Sequence, residues 1–267
     1  MSRVAMVTGA SSGIGEAFAE RLAQDGWDLV VVARRRERLE DLGGRLTGAH
    51  GVSVRVVESN LAEPDQLQPL CAEAAELPLD MVVNNAALAY YMPFSELPTE
   101  LAQELVQLNV LAPMLLTRAV LPGMVRRGQG AVINVASLLA FSGAWEAPHL
   151  PRRAVYAATK SFLVTFTQAL ASELRDSGVR MQVVCPGVVR SEFHSRQGLD
   201  MSAVPRMEPG AVVQASLVDL ERGEVVSIPG SDDEGARERV NAAQRDLIDA
   251  TRAVELPRRY QPQVDAS

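Results

Sequence analysis

The sequence predicts a single doubly wound α/β domain, with a seven-stranded parallel sheet and helices on both faces. Short β-branched runs alternate with longer amphipathic segments along the chain, and a glycine-rich turn follows the first run. Alternation of this kind is typical of a parallel sheet covered on both faces, and right-handed crossovers make it doubly wound. The length of 267 residues suits one large domain better than two small ones.

The predicted elements follow the hydrophobic periodicity. The strands are Val4–Thr8, Asp28–Ala33, Val52–Glu58, Asp80–Asn84, Gly130–Ala136, Val179–Cys185 and Glu224–Ile228. The helices are Ile14–Asp25, Arg35–Leu46, Asp65–Glu76, Glu100–Arg127, Val155–Ser177, Glu208–Glu221 and a further one within Ser231–Val254. We expect residues 188–210 to form a substrate loop and residues 257–267 a loose tail.

Composition limits the possible partners. The net charge of -7 and the pI of about 5.1 argue against nucleic acid or an anionic membrane. The longest apolar stretch, Val106–Met124, is interrupted by polar and charged side chains, and the N-terminus lacks a signal-peptide pattern. The two cysteines, Cys71 and Cys185, indicate neither a disulfide framework nor a metal site. We therefore expect a cytoplasmic protein without a metal, a membrane or a nucleic-acid partner.

The first strand runs into a glycine-rich turn, Thr8–Gly15. Glycine permits the positive φ angles and the close backbone approach that a phosphate-binding turn needs, and the helix that follows presents free N–H groups to a pyrophosphate. A plain tight turn is the alternative interpretation. The residues predicted to bind the cofactor here are Gly9, Ser11, Ser12, Gly13, Ile14 and Gly15.

The same turn also fits a different enzyme class. Gly9-x-Ser11-x-Gly13 matches the nucleophile elbow of serine hydrolases, which would need a histidine and an acid later in the chain. That elbow normally follows several strands and not the first one, so we keep the hydrolase only as a remote alternative.

The end of the second strand indicates which dinucleotide binds. An NAD site usually has an acidic residue there for the ribose hydroxyl. This chain has Arg34 and Arg35 after Ala33, and a guanidinium can bind a 2′-phosphate through two hydrogen bonds. The sequence therefore predicts NADP(H), with Arg34 the better phosphate ligand and Arg36 a solvated residue at the helix start.

A candidate acid/base pair lies in a predicted helix. Tyr156 and Lys160 are four residues apart, which places both side chains on one helix face. A neighbouring ammonium lowers the pKa of a phenol, as proton transfer at neutral pH requires. Lys160 is also the only lysine in a chain that otherwise uses arginine.

With these motifs in this order, residues 4 to about 230 resemble the short-chain dehydrogenase/reductase family, in its NADP-preferring Tyr-x-x-x-Lys branch with a Rossmann fold. The resemblance implies hydride transfer between the nicotinamide and a carbonyl or alcohol carbon. It assigns Tyr156 as the acid/base, Ser137 as the group that holds the substrate oxygen, Lys160 as the ribose ligand, and Asn109 as the holder of a water next to Lys160. It also implies cofactor contacts from Asn60, Leu61, Asn85, Ala86, Ala87, Pro186, Gly187, Val188 and Ser191, together with Tyr156 and Lys160.

The interval between Ser137 and Tyr156 is longer than is common in that family. Since both ends belong to the predicted active site, we expect it to form a semi-rigid flap over the substrate. The predicted substrate pocket is apolar and consists of Tyr90, Tyr91, Leu139, Phe141, Trp145, His149 and Phe193. Packing of Trp145 against a neighbouring subunit is the alternative. Solvated side chains are the first interpretation of Arg152 and Arg153, and an anionic substrate group is the second.

The sequence thus predicts an NADP(H)-dependent carbonyl reductase for an apolar or bulky ketone, or the reverse alcohol dehydrogenase. A catalytically silent NADP-binding regulator is the alternative from another class. Apolar side chains on the two long helices, Leu115, Leu116, Phe162 and Phe166, also predict a homodimer or homotetramer.

Overall fold

The computed structural model describes residues 3–145, 150–233 and 235–251, together with 256 and 260. The chain divides into two compact units, Met1–Gly230 and Ser231–Ser267. The first unit holds the whole sheet. In the second, the helix α9 (Gly235–Ala250) lies within the predicted range and has no buried residue.

The sheet consists of seven parallel strands, which confirms the predicted fold class. They are β1 (Val4–Thr8), β2 (Asp28–Ala33), β3 (Val54–Glu58), β4 (Met81–Asn84), β5 (Gly130–Val135), β6 (Val179–Val184) and β7 (Val226–Ser227). Their spatial order is β3-β2-β1-β4-β5-β6-β7. The order reverses between β1 and β4, and in open sheets of this type ligands bind beside the carboxyl ends of the strands at this point.

Helices cover both faces of the sheet. They are α1 (Gly13–Gln24), α2 (Arg36–His50), α3 (Pro64–Glu76), α4 (Thr99–Val106), α5 (Ala112–Arg127), α6 (Ala154–Glu173), α7 (Glu192–Ser195) and α8 (Pro209–Glu221). Short 3-10 turns occur at Phe94–Glu96 and Leu138–Phe141, and a π-helical turn, Gln107–Leu111, joins α4 to α5.

The strands alternate between two apolar cores because successive side chains point to opposite faces. Along β1, Ala5 and Val7 pack with Phe18 of α1, whereas Met6 packs with Leu67 of α3 and Leu116 of α5. Since Leu116 is only 1% exposed, it belongs to the core, and the prediction that it contributes to a subunit interface is corrected.

The continuous helix Thr99–Arg127 is long and apolar enough to cross a membrane by length and composition alone, but 44% of its apolar window is buried within this fold. Asn84, at the end of β4, donates hydrogen bonds to Thr117 of this helix at 3.1 Å and to Asn134 of β5 at 2.9 Å. Asn134 donates in turn to Thr167 of α6 at 2.9 Å. This buried network fixes α5 and α6 against the strands whose ends carry the site.

Candidate active site

A cavity of about 770 Å³ opens at the carboxyl ends of the strands, beside β1 and β4. One end, which we call the glycine-turn half, is lined by the glycine-rich turn, the end of β2 and residues 59–61 and 85–87. The other end, the apolar half, is lined mainly by Leu138, Leu139, Trp145, Leu150, Phe193, Leu199 and Met201. Ser137, Tyr156 and Lys160 also line the cavity, so the structure brings three predicted catalytic residues together.

Most of the predicted cofactor residues line the same cavity. They are Gly9, Ser11, Ser12, Gly13, Ile14, Arg34, Arg35, Asn60, Leu61, Asn85, Ala86, Ala87, Tyr156, Lys160, Pro186, Gly187, Val188 and Ser191. Gly15 is not part of the lining. A Cβ at Gly15 would lie 2.4 Å from the carbonyl oxygen of Gly9, so this glycine allows the turn to pack on α1 and does not face a ligand.

The glycine-rich turn has the backbone that its sequence predicts. Gly9 and Gly13 have φ angles of 67° and 61°, in the left-handed region that favours glycine. A Cβ at Gly9 would lie 2.7 Å from the side chain of Asn85, and one at Gly13 would lie 3.0 Å from Ser191. The turn is therefore held between β4 and the segment that leads into α7.

Thr8 and Asn85 join the ends of β1 and β4. The Thr8 hydroxyl accepts hydrogen bonds from the backbone N–H groups of Asn85 and Ala86 at 3.0 and 3.1 Å. The Asn85 amide donates to the carbonyl oxygens of Thr8 and Gly9 at 3.0 and 3.3 Å. These bonds fix residues 85–87 as one wall of the glycine-turn half.

Arg35, and not Arg34, is the arginine that binds the glycine-rich turn. Its guanidinium donates to the hydroxyl of Ser11 at 2.8 Å, to the carbonyl oxygen of Ser11 at 3.0 Å and to the hydroxyl of Ser12 at 3.0 Å. Arg34 lines the cavity but its side chain is exposed. Within the part of the chain that the structure describes, the Ser11 hydroxyl pairs with a cation and not with a histidine, which argues against the nucleophile elbow.

Tyr156 lies where the two halves of the cavity meet and is only 5% exposed. Its phenol is hydrogen-bonded to the side chains of Ser137 and Tyr91. Burial raises the pKa of Tyr156 well above its usual value, Tyr91 raises it further, and the hydrogen bond with Ser137 lowers it. In this arrangement Tyr156 keeps its proton at neutral pH, as a general acid must before it reacts.

Lys160 lies beneath Tyr156 and is 2% exposed. Its ammonium donates to the carbonyl oxygen of Val135 at 2.9 Å and lies 5.8 Å from the centre of the Tyr156 ring. Burial lowers the pKa of Lys160 to about 8. The expected lowering of the Tyr156 pKa by Lys160 is not found. The ammonium bonds to β5 and not to the phenol, and burial disfavours its charge.

Asn109 lies in the π-helical turn and is 1% exposed. Its side chain accepts from the N–H of Leu88 at 3.1 Å and donates to the carbonyl oxygen of Leu88 at 2.9 Å and to Thr159 at 3.2 Å. Asn109 does not line the cavity. It holds the chain after β4 against α6, one residue from Lys160.

The apolar half contains four of the predicted pocket residues, Tyr91, Leu139, Trp145 and Phe193. The predictions for Tyr90 and Phe141 are corrected. Neither lines the cavity: the Tyr90 hydroxyl donates to Glu104 at 2.6 Å, and Phe141 points outward with 45% of its surface exposed. His149 lies outside the residues that the structure describes.

Arg153 organises the long segment between Ser137 and Tyr156. Its guanidinium donates to the Ser142 hydroxyl, the Ser142 carbonyl oxygen and the Trp145 carbonyl oxygen at 2.8 Å each, and to the Pro151 carbonyl oxygen at 3.1 Å. Neither predicted role of Arg153, as a solvated side chain or as a ligand for a substrate anion, fits these bonds. The described parts of the segment lie along the cavity through Ser142, Trp145 and Pro151.

Sequence reasoning did not identify three functional candidates near α7. His194 lines the cavity and stacks on Tyr91 at 6.5 Å between ring centres, and Arg196 also lines it. Glu192 forms salt bridges with Arg35 and Arg38. Only their position four to eight residues after Val188 could have indicated them. Tyr91 lies more than 100 residues before His194, and Arg35 and Arg38 lie more than 150 residues before Glu192.

The model of the family described as short chain dehydrogenase matches residues 3–201. The chain is similar to a short-chain dehydrogenase from Sphingobium yanoikuyae, whose structure holds NADPH: 34% identity, a TM-score of 0.92, and coverage of 97% of this chain and 100% of the other.

A second solved structure, the bulky-bulky ketone specific alcohol dehydrogenase from Comamonas testosteroni, is 30% identical with a TM-score of 0.87, and the match covers 97% of this chain and 99% of the other. The human very-long-chain 3-oxoacyl-CoA reductase is 32% identical over 193 residues. That match covers 71% of this chain and 60% of the relative, so the chain spans less than two thirds of the relative's length.

The doubly wound sheet, the glycine-rich turn and the Ser137–Tyr156–Lys160 site define a nucleotide-dependent oxidoreductase. The chain belongs to the short-chain dehydrogenase family. The residues present fit the family's nicotinamide cofactor, since Gly9 and Gly13 with positive φ angles line the glycine-turn half together with the side chains of Ser11, Arg34 and Arg35.

Proposed function

We propose that this protein is an NADP(H)-dependent carbonyl reductase for bulky, apolar ketones, and that it catalyses the reverse alcohol oxidation with the same groups. One observation carries the proposal. The hydrogen-bonded hydroxyls of Ser137 and Tyr156 lie between a glycine-turn half with two arginines and an apolar half.

The site's own residues account for the proton. A ketone oxygen between Ser137 and Tyr156 accepts a hydrogen bond from each hydroxyl, which polarises the carbonyl. When bound, the nicotinamide supplies the hydride. Tyr156 transfers its phenolic proton to the ketone oxygen as negative charge develops there and makes that oxygen a strong base. Lys160, whose ammonium donates to the carbonyl oxygen of Val135, lines the cavity beside Tyr156 and would bind the ribose of the cofactor.

The preference for NADP(H) rests on charge. The last residue of β2 is Ala33, with Arg34 and Arg35 directly after it, and both arginines line the glycine-turn half. Guanidinium groups bind a phosphate through charge-assisted hydrogen bonds. The NADPH-bound structure of the Sphingobium relative supports this cofactor for the chain.

The substrate class rests on the walls of the apolar half. Leu139, Trp145, Leu150, Phe193 and Met201 line it. Such a wall binds apolar groups by excluding water. The bulky ketone specificity in the name of the Comamonas enzyme supports the same class for this chain.

The decisive experiment measures the reduction of a series of ketones of increasing size with NADPH and with NADH. We expect the highest kcat/KM with NADPH and a bulky apolar ketone. Arg34→Asp and Arg35→Asp should each lower the ratio of kcat/KM for NADPH over NADH by about tenfold or more. Equal kcat/KM for both cofactors in the unmodified enzyme would contradict the proposal.

We also propose a homo-oligomer located in the cytoplasm. Leu115 and Val125 on α5 are 38% and 41% exposed, and Phe162 stacks on Phe166 along α6 at 5.4 Å between ring centres. Apolar side chains of this kind favour association of two copies. Light scattering at micromolar concentration tests this, and the mass of a single chain would exclude it.

A further inference from the structure

Three arginines surround one carboxylate at the rim of the glycine-turn half. Glu192 of α7 accepts hydrogen bonds from Arg38 at 2.8 and 3.0 Å, from Arg35 at 3.0 Å, and from Arg196. Their side chains are between 31% and 48% exposed, so an anion from solution can reach the cluster. We name Arg35, Arg38, Arg196 and Glu192 the arginine cluster.

The cluster is continuous with the phosphate-binding turn. Arg35 reaches both Ser11 and Ser12, and Arg196 donates to Ser12 at 3.4 Å. Two of the three guanidinium groups thus bond at the same time to the turn and to Glu192. Any anion bound at this corner of the turn must take these donors or share them with Glu192.

Carboxylates and phosphates accept the same paired N–H donors from arginine. We propose that Glu192 occupies the subsite for the 2′-phosphate of the cofactor and competes with it, so that Glu192 weakens the binding of NADP(H). This inference rests on the proposed NADP(H) dependence and adds a residue that moderates it.

The donors of the cluster, and not its net charge, are the basis of the competition. Three guanidinium groups and one carboxylate leave two positive charges, which match the charge of about -1.5 to -2 that a phosphate monoester carries near neutral pH. Glu192 nevertheless takes the N–H donors of Arg35 and Arg196 that a phosphate at the turn would use. With Glu192 in place, the phosphate faces a negative charge across a few ångströms. The arginines hold the pKa of Glu192 at about 2, so this charge persists at every working pH.

The next two residues of α7 connect the cluster to the substrate. Phe193 lies 6.1 Å from Tyr156 between ring centres, and His194 stacks on Tyr91. Because Glu192, Phe193 and His194 are consecutive, displacement of Glu192 by a phosphate shifts the wall next to Tyr156. Binding of the 2′-phosphate and binding of the ketone are then coupled, and such coupling is reciprocal.

The test removes the charge of Glu192 and keeps its shape. Fluorescence titration of Glu192→Gln with NADPH and with NADH measures both Kd values. We expect Glu192→Gln to bind NADPH about two- to fivefold more tightly than the unmodified protein does, with little change in the Kd of NADH. The effect should be of this size because only one partly exposed charge is removed. Thermal unfolding of the variant shows whether the fold is retained.

The matched control is Glu208→Gln, which makes the same chemical change in the exposed Arg190–Glu208 pair. It should leave the Kd of NADPH unchanged, and a gain equal to that of Glu192→Gln would show a general charge effect and overturn the proposal.

Weaker NADPH binding by Glu192→Gln would show that Glu192 positions the arginines, and unchanged binding would show that it does not reach the phosphate. Either result overturns the inference. Both differ from failure of the proposed function, in which the unmodified protein itself binds NADPH no better than NADH.

The coupling has its own measurement. In the unmodified enzyme, KM for one bulky ketone should differ between NADPH and NADH, and this difference should shrink in Glu192→Gln. A difference that persists in the variant would contradict the link through α7.

Discussion

The two halves of the cavity are constructed in opposite ways. The glycine-turn half is formed largely by backbone segments that follow directly after strands. Hydrogen bonds between Thr8 and Asn85 hold these segments in place. The apolar half consists of side chains from two irregular segments, and in one of them the guanidinium of Arg153 bonds to Ser142 and Trp145. Changes in the first half should therefore affect folding and cofactor binding together, whereas changes in the second should affect only the choice of substrate.

The largest expected effect lies where the halves meet. Tyr156→Phe removes the transferable proton and keeps the ring, so kcat for ketone reduction should fall by at least about 10²-fold. The Kd of NADPH, measured by fluorescence, should change little. Tyr90→Phe is the control, because Tyr90 lies outside the cavity lining and bonds to Glu104. Near-normal turnover of Tyr156→Phe would show that another group supplies the proton.

The glycine-turn half can be tested with two glycines. In Gly15→Ala the new Cβ would lie 2.4 Å from the Gly9 carbonyl oxygen, so the turn must move. We expect a loss of about 1 to 3 kcal/mol in the free energy of unfolding, with weaker NADPH binding. In Gly44→Ala, within α2, the Cβ meets nothing within 4 Å, and the variant should gain about 0.5 to 1 kcal/mol. Urea denaturation measures both, and equal values for the two would refute the contrast.

The two glycines also show which features the sequence could predict and which it could not. The strands, the turn and the Tyr156–Lys160 pair follow local rules of periodicity and spacing, and the sequence identified them. It could not show that Gly15 packs against Gly9 while Gly13 lines the cavity, because both are glycines of one motif. The difference arises from Asn85, which approaches from another strand.

A third effect concerns the buried ammonium of Lys160. The pKa of Lys160 is about 8 in the folded chain against 10.5 as its ordinary value, so between these values the unfolded chain binds more protons. The free energy of unfolding should therefore rise with pH in this window, because the cost of burying the charge disappears. From pH 8 to pH 9 the unmodified protein should gain about 1 kcal/mol over Lys160→Met. Urea denaturation at both pH values checks this, and parallel pH profiles would contradict it.

The smallest expected effect lies in the apolar half. Trp145→Ala should raise KM about threefold for a bulky ketone and hardly at all for a small one, because the ring lines the cavity but is 58% exposed. Phe141→Ala, in the same segment but outside the lining, is the control and should leave both KM values unchanged. If both ketones shift alike in Trp145→Ala, the segment has a structural role only.

The apolar half was also harder to predict. Phe141 and Trp145 are both aromatic and only four residues apart, yet one points outward and the other lines the cavity. The segment has no periodicity that assigns a face, and its path depends on the bonds of Arg153 to Ser142 and Trp145. The sequence could not reveal the contacts of His194 with Tyr91 or of Glu192 with Arg38 either, because Tyr91 and Arg38 lie far away along the chain.

Lys160 has one more consequence, for chemical labelling. It is the only side-chain amine in the sequence, and it is almost completely enclosed. Because it lines the cavity but is only 2% exposed, an amine-directed reagent can reach it only when the groups that surround it at the cavity wall move apart. The rate of modification at this one position therefore reports how often the surroundings of Lys160 open. A tightly bound dinucleotide should slow the modification.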